Sequence, residues 1–321
     1  MIGMMEQKFA IEMEMTGGTR ERAAELLAAQ FGTEAVHIGG TYDRWTVPDK
    51  SGQEWRLEKD LMVRPQRWFA NQYVRTRRKE YGMKLVTPLL PCGELSTVQE
   101  TLRRFAGAAF TANASCNLSV HIDAANHNQQ SLKNLVGIMF SKEDLLFRAL
   151  QVDDQRAAEY CKKVREPMLA QLRALPAAET KDLTALENIW YEGDAADARN
   201  PLSRTRKHAL NLHSVFLRNT VEWRFFRATF QPELLTAYVH LCLAMSAQAI
   251  NQRSATMKRT VSDNDQFTLR VMLVRMGLNG DEFKESRKLL LQNCEGDKAW
   301  RHGKENYPVN QKKKPNRAAV R

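Results

Sequence analysis

The chain has 321 residues, of which 43% are hydrophobic and 26% are charged, with a formal net charge of +11. This composition is typical of a folded globular protein and excludes fibrous and wholly disordered chains. Five cysteines, odd in number and widely spaced, show no spacing typical of a zinc site or a redox dithiol, which favours a reducing cytoplasm.

The first predicted element is a strand over residues 9–15, in which Glu12 and Glu14 alternate with apolar residues. Alternate side chains of a strand point to the same face, so the two carboxylates share one face. Because Glu6 and Lys8 also interrupt the apolar run, no signal peptide is predicted, and we expect a cytoplasmic protein.

A helix and a hairpin follow this strand. Thr19 is placed to begin the helix, and Gly32 is placed to end it. Residues 41–47 and 54–63 have strand-like patterns and are joined by turn-forming residues, which predicts an antiparallel hairpin. Asp60 lies late in its second arm.

Residues 64–84 form a basic segment interleaved with aromatic residues. Its cations and aromatics include Arg75, Arg77, Arg78, Lys79, Trp68, Phe69 and Tyr73. Such a segment can bind phosphates or an acidic substrate. The alternative is a solvated loop, since the segment has neither a helical nor a strand period.

A short strand over residues 83–86 precedes a helix that we expect to begin with a capping box of Ser96 and Gln99 and to reach about residue 112. The next predicted strand, residues 119–123, carries His121. Its alternation places this imidazole opposite an apolar face.

Residues 131–175 have a helical pattern, with Ser141 as an expected cap and Pro167 where the helix after Asp153 either kinks or restarts. A short helix over 183–191 and an exposed loop over 192–204 follow. The loop leads to Arg206 and Asn211.

The third polar strand begins at Thr220 and places Glu222 and Arg224 on one face. A core helix over 232–251 and two helices over 263–278 and 281–293 complete the fold. The apolar run inside the core helix is short for a membrane span of about 20 residues, so we expect it to be buried and predict no membrane association.

The C-terminal tail is strongly basic. Residues 301–321 hold seven Lys or Arg against a single acid, Glu305. The tail has no apolar periodicity, which predicts a solvated and disordered segment. Nucleic-acid association is an alternative confined to this tail, because no recognised nucleic-acid fold accompanies the charge.

These elements predict an α+β fold with a mainly antiparallel sheet and helices packed on one side. We expect a single domain over residues 1–295, with a helical insert at about 131–193, C-terminal helices at about 256–293, and the tail from 296. No glycine-rich phosphate loop follows a strand, so neither a P-loop nor a Rossmann nucleotide site is supported.

The polar faces of the predicted strands are suited to lining one charged catalytic site. Carboxylates on a rigid strand are typical ligands of Mg²⁺, and Glu12 and Glu14 are the first candidates, with His121 and Glu222 as further ligands. Arg224 offers a planar fork for phosphate or carboxylate oxygens, and Arg206 offers another. The alternatives are a solvated sheet face and a structural Glu222–Arg224 salt bridge.

Over residues 9–250 the sequence resembles the amidoligases, bacterial and phage relatives of glutamine synthetase and glutamate-cysteine ligase within the carboxylate-amine ligase superfamily. The motifs that carry the resemblance are Ile11-Glu12-Met13-Glu14, residues 55–60, Leu85-Val86-Thr87-Pro88, residues 115–121, Ile189-Trp190-Tyr191, Arg206 with Leu210-Asn211-Leu212, and residues 220–226. They are long and occur in the family's order, so the resemblance is fairly specific.

The resemblance implies a glutamine-synthetase-like fold in which ATP and Mg²⁺ lie over an antiparallel sheet. A substrate carboxylate is phosphorylated to an acyl phosphate, and an amine then attacks it to give an amide or peptide-like bond. The implied metal ligands are Glu12, Glu14, His121 and Glu222. The implied phosphate or acyl contacts are Arg206 and Arg224, with Glu222 also in the catalytic set, and Asp60, Arg206 and Asn211 assist substrate or nucleotide binding.

Three positions depart from the family pattern. Relatives usually carry an acid at the position of Lys84, a glycine at Asn117 and a histidine at Ser119. One hypothesis is that Lys84 supplies a fixed cation in place of a metal ion, if its side chain reaches the site. Another is that this chain is a catalytically degenerate relative that binds nucleotide or peptide without turnover.

The expected acceptors are a small molecule, an amino acid or a peptide. An oligomer is compatible with the sequence.

Overall fold

The computed structural model describes residues 1–198 and 200–302. Its strands are β1 Lys8–Met15, β2 Val36–Gly39, β3 Arg44–Pro48, β4 Glu54–Lys59, β5 Gln66–Phe69, β6 Gln72–Arg75, β7 Met83–Val86, β8 Leu90–Pro91, β9 Asn117–Asp123, β10 Leu210–Asn211 and β11 Thr220–Arg227. Its α-helices are α1 Arg20–Phe31, α2 Leu95–Gly107, α3 Gln129–Ala149, α4 Asp154–Glu159, α5 Glu166–Ala174, α6 Thr184–Trp190, α7 Ala195–Ala198, α8 His213–Arg218, α9 Pro232–Asn251, α10 Asp265–Arg275 and α11 Lys284–Leu291.

One antiparallel sheet organises the molecule. Its strand order is β10-β11-β9-β1-β7-β4-β3-β2, and β8 pairs with the start of β1. The strand that carries Glu12 and Glu14 is therefore central, with β9 and β11 on one side and β7 and β4 on the other. The α+β class with a large antiparallel sheet is confirmed.

The apolar face of the sheet forms the core. In β1 the residues Ile11 and Met13 are fully buried, and Val120 and Leu85 lie opposite them on the neighbouring strands. Helices α1 and α9 pack against the sheet from this side. Burial of each such large side chain contributes about 2 kcal/mol, so this face fixes which residues point to the other one.

A β-bulge interrupts the alternation of β11. Trp223 lies opposite Val120, but Phe226 lies opposite Leu118, so β11 has one extra residue in this interval. Phe225 and Phe226 are consequently both buried in the core. An extra residue on one strand re-aims the side chains that follow it.

Several helix boundaries agree with the sequence prediction. The Thr19 hydroxyl accepts a hydrogen bond from the Arg22 N–H at the start of α1. Gly32 ends the helix in a left-handed conformation with φ of 69°. Pro167 lies in the first turn of α5, where a missing N–H costs nothing.

Two predicted caps are wrong. Ser96 lies inside α2, which begins directly after a 3-10 turn and ends at Gly107 rather than near residue 112. Ser141 lies in the middle of α3 and contacts Thr260. The cap of α3 is Asn128, whose side chain accepts from the Ser131 N–H at 2.8 Å, so the helix starts earlier than the Ser141 pattern indicated.

Part of the basic segment forms a hairpin that the sequence did not predict. Strands β5 and β6 pair with each other as a separate antiparallel sheet, and the tight turn between them places Ala70 and Asn71 at positive φ. Residues 66–75 are therefore paired strands and not a loop, while they remain partly exposed to solvent.

Helix α9 is the only helix among the described residues that is long and apolar enough to cross a membrane. It is mostly buried and packs against α2, α3 and α11, which is how the core helix of a globular fold behaves. The predicted buried helix is confirmed. Residues 303–321 of the predicted tail lie outside the described residues, and just before them the Asn264 amide donates to the carbonyls of Asp297, Trp300 and Arg301.

Candidate active site

The predicted polar residues meet on the sheet face opposite the core. His121 of β9 lies opposite Glu222 of β11, and Glu222 lies opposite Asn211 of β10. Residues directly opposite in an antiparallel pair share a face, so these three side chains form a row. On the other side of His121, β1 contributes Ala10 to the row and Glu12 to the adjacent position.

Glu12 is surrounded by cations. Lys84 Nζ lies 2.8 Å from Glu12 Oε2, and an Arg218 guanidinium nitrogen lies 3.0 Å from Oε1. Burial acts to raise the pKa of Glu12, but Lys84, His121 and Arg218 together hold it well below its usual range. Glu12 is therefore a carboxylate at any physiological pH.

Glu222 is the most buried acid of the row, with a side chain only 5% exposed. Arg224 donates to its Oε1 at 2.7 Å, and the Asn211 amide donates to its Oε2 at 2.7 Å. Burial opposes ionisation, yet Arg224 and His121 lower the pKa of Glu222, and Glu222 in turn raises that of Arg224. This pair is the buried ion pair of the site.

His121 lies between the two carboxylates. Its Nδ1 is within 3.0 Å of the Thr220 hydroxyl, which fixes the ring. Its Nε2 is buried without a hydrogen-bond partner and lies 3.8 Å from Glu12 Oε1 and 3.9 Å from Glu222 Oε1. An orphaned imidazole nitrogen facing two carboxylate oxygens fits a divalent cation by its chemistry.

These candidate ligands are not closely grouped. Across residues 1–198 and 200–302, no three His, Cys, Asp or Glu side chains are grouped closely enough to form a ready-made metal site. Fixed cations already contact Glu12 and Glu222. The donor atoms are therefore of the types that bind a divalent cation, while cations of the protein already compensate most of the carboxylate charge.

Glu14 lies in a different environment, although it shares the strand and the face with Glu12. Its Oε2 accepts from the backbone N–H and the side-chain amide of Asn117, at 2.9 and 3.0 Å. Burial, followed by the nearby carboxylate of Asp60, raises the pKa of Glu14 to about 7. Lys84 lies opposite Glu14 in the register, but its ammonium reaches Glu12 instead.

Arg206 lies in the 3-10 turn Arg204–Lys207, near the Arg224 and Glu222 side chains. Burial and then the proximity of Arg224 lower the pKa of Arg206. The Nε atoms of Arg206 and Arg224 are both buried and have no hydrogen-bond partner among the described residues. Two neighbouring guanidinium groups with unused donors are suited to an anion.

The structure thus brings together Glu12, His121, Asn211, Glu222 and Arg224, with Arg206 beside them. Asp60 lies just past the end of β4, and its carboxylate accepts from the Met62 N–H near Glu14. Ser119 lies opposite Glu12 in the register.

Two polar residues of this face were not predicted. Arg218 contacts Glu12 from the end of α8, and no periodic pattern marked it. Glu58 lies opposite Lys84 in β4 and contacts Arg44 at 3.0 Å and Arg56 at 3.4 Å. The alternation of Arg56, Leu57 and Glu58 is a signal that marks Glu58 as a member of the polar face.

A comparison with family models matches residues 5–246 to the family described as "Putative amidoligase enzyme". This range holds every residue of the polar face described above and ends inside α9. A search of curated proteins found no match.

Proposed function

The chain belongs to the "Putative amidoligase enzyme" family, and from that premise we propose that it joins a carboxylate to an amine at the expense of ATP, with Mg²⁺. The observation that carries the proposal is the combination on one sheet face of unpartnered guanidinium donors, an unpartnered imidazole nitrogen and buried carboxylates. Phosphoryl transfer needs these groups, because it depends on positioning and on neutralising anionic oxygens.

In the proposed reaction an oxygen of the substrate carboxylate attacks the γ-phosphorus of ATP, and the bond to ADP breaks. The amine nitrogen then attacks the carbonyl carbon of the acyl phosphate, phosphate leaves, and the nitrogen loses a proton. Arg206 and Arg224 hold the phosphoryl or acyl oxygens through their free donors. Asn211 keeps Glu222 oriented, and Asp60 lies beside Glu14 at the other end of the face.

Glu12, Glu14, His121 and Glu222 are the residues that would hold Mg²⁺, which supplies charge neutralisation at the transferred phosphoryl group. Lys84 contributes a fixed positive charge at Glu12, where it compensates part of the same carboxylate charge. The proposed acceptor is an amino acid, a peptide or another small amine, and the proposed setting is the cytoplasm.

The test measures ADP release from the purified full chain with ATP, Mg²⁺ and a panel of carboxylate and amine substrates. We expect ADP release to require Mg²⁺ and both substrates, and to fall by about 10² or more in Glu12→Gln and Glu222→Gln. Glu25→Gln is the matched control, because Glu25 is an exposed acid on α1 that pairs with Arg22 at the protein surface. Activity that is unchanged in both site variants contradicts the mechanism.

The ion pair between Lys84 and Glu12 favours a second candidate, a protein of this family that binds nucleotide or peptide without turnover. Lys84→Glu separates the two. Increased Mg²⁺-dependent ADP release in this variant would identify a decayed site, whereas loss of ADP release would identify Lys84 as part of a working one. Calorimetric ATP binding without ADP release in the unaltered protein supports the binding role.

A further inference from the structure

The hairpin formed by β5 and β6, called here the arm, has two partly exposed faces. Trp68 and Phe69 point to opposite faces of the arm and are 46% and 58% exposed. Exposed large apolar side chains next to each other mark an interaction surface more often than isolated ones do. A two-stranded hairpin is at best marginally stable alone, so the arm depends on its attachment to the rest of the chain.

The arm is anchored to the chain segment that directly follows β1. Its first strand bonds to the chain just after β1, where the Gly17 N–H donates to the Gln66 carbonyl at 3.0 Å and the Gln66 N–H donates to the Thr16 hydroxyl at 2.8 Å. Gly17 has a φ of 101°, and a Cβ there would lie 2.3 Å from the Ala109 carbonyl oxygen. The anchor is three residues beyond Glu14 in the chain.

The charge of the arm and its flanks has one sign. Residues 61–79 contain six Lys or Arg and no acid. Arg78 pairs with Glu80, and among the described residues the other five cations have no ion-pair partner: Arg64, Arg67, Arg75, Arg77 and Lys79. Arg67 lies over the Phe69 ring at 5.0 Å, and Trp68 packs edge-on against Tyr73. Each face of the arm therefore combines an aromatic platform with an uncompensated cation.

We propose that the arm binds an acidic polypeptide segment and thereby delivers a carboxylate of that polypeptide to the sheet face. Charge complementarity selects the occupant, because an extended acidic chain matches a run of cations without any acid. The aromatic platforms contact its aliphatic stems. This inference rests on the proposed function for its second part only: binding of the acidic segment is independent of ligation.

The test uses a fluorescein-labelled decaglutamate peptide and measures its anisotropy with the full chain, at low and at physiological salt. The variant Arg67→Gln/Arg75→Gln removes two positive charges from the arm and should weaken binding by about fivefold. Trp68→Ala should weaken binding to a similar extent and reduce the affinity at both salt concentrations. Decaglutamine of the same length should not bind.

The matched control is Arg253→Gln/Lys258→Gln, which removes the same charge from exposed positions after α9 that form no ion pair among the described residues. Its affinity for decaglutamate should stay within twofold of the unaltered protein. Equal weakening by the control and the arm variant would overturn the proposal, because net charge alone would then explain binding. Tighter, arm-dependent binding of a labelled oligothymidylate would overturn it in favour of nucleic acid.

Calorimetric ATP binding with Mg²⁺ on the same variants distinguishes this inference from the proposed ligase activity. The arm variants should bind ATP as the unaltered protein does, since no arm residue belongs to the polar face. If no protein in the series binds ATP, the ligase proposal fails while the decaglutamate result still decides the role of the arm.

Discussion

Glu12 and Glu14 are the same residue type, two positions apart on one face of β1, and their pKa values shift in opposite directions. Lys84, His121 and Arg218 overcome the burial of Glu12, whereas Glu14 has no ion-pair partner within the described part of the chain and its pKa is raised to about 7 by burial and Asp60. The difference shows that position on the strand selects the face, while the neighbouring strands and loops select the protonation state. The polar face therefore has a compensated end and a protonatable end, an arrangement that acid and base roles use in enzymes.

At the compensated end the largest effect is expected for Arg224→Met, which leaves Glu222 buried without its guanidinium partner. We expect a loss of about 4 kcal/mol in the free energy of unfolding, because a buried carboxylate without its counter-ion is costly. Urea unfolding at neutral pH measures it. Arg227→Met, on the same strand, removes an exposed pair with Asp153 and should cost less than about 1 kcal/mol. Equal losses in the two variants would contradict a buried ion pair at Glu222.

The protonatable end predicts a pH effect at Glu14. The pKa of Glu14 is about 7 in the folded state and about 4.5 in the unfolded state, so the folded state binds more protons between these values. The stability contributed by neutral Glu14 is present below about pH 4.5 and declines as the pH rises towards 7. Between pH 4.5 and pH 8 the free energy of unfolding of Glu14→Gln should therefore rise by about 3 kcal/mol relative to that of the unaltered protein.

Urea unfolding of both proteins across this pH range, with a chelator present, measures the difference. Glu143→Gln serves as the comparison, since Glu143 of α3 has a pKa raised to about 7 by burial but lies beside Arg259, away from the sheet face. A pH-independent difference between Glu14→Gln and the unaltered protein would show that Glu14 is ionised throughout.

Lys84→Met tests how much of the compensation at Glu12 comes from one partner. We expect the free energy of unfolding to fall by about 2 kcal/mol. This loss is smaller than for Arg224→Met, because Arg218 still contacts Glu12. The double variant Glu12→Gln/Lys84→Met should recover most of the loss, which a double-mutant cycle of unfolding free energies measures. A double variant no more stable than Lys84→Met would place the cost in packing instead.

The smallest effect is expected for Arg218→Met. The Arg218 side chain is 62% exposed, so its contact with Glu12 is screened by solvent and should contribute about 0.5 kcal/mol or less. Thermal unfolding at low and high salt measures it. A loss as large as that of Lys84→Met would mean that the two cations compensate Glu12 equally.

The sequence was sufficient to predict the α+β class, the polar face and helix α9, because burial of an apolar face enforces strand and helix periods. Alternation placed Glu12, His121 and Glu222 each on the polar face of its own strand, and the family resemblance predicted that the three belong to one site. It could not predict that Lys84 reaches Glu12 diagonally rather than Glu14 opposite, since this depends on side-chain length and local charge. The β5–β6 pairing was missed because its residues follow no apolar alternation, and both of its faces remain partly exposed.

The predicted caps at Ser96 and Ser141 failed for another reason. A Ser followed by a Gln or an acid is also compatible with a helix interior, and only the surrounding turns decide between the two. In α2 the preceding 3-10 turn starts the helix one residue before Ser96, and in α3 the Asn128 and Ser131 pair starts it well before Ser141.

The β-bulge in β11 limits how this protein can be re-engineered. Residues before the bulge follow one inward-outward frame and residues after it follow the other, with Arg224 and Phe225 at the junction. Deleting a single residue there would remove the bulge and keep Phe226 and Arg227 opposite Leu118 and Asn117, but Arg224 or Phe225 would lose its place in the strand. A graft of this strand into another scaffold must therefore carry residues 223–226 as one block.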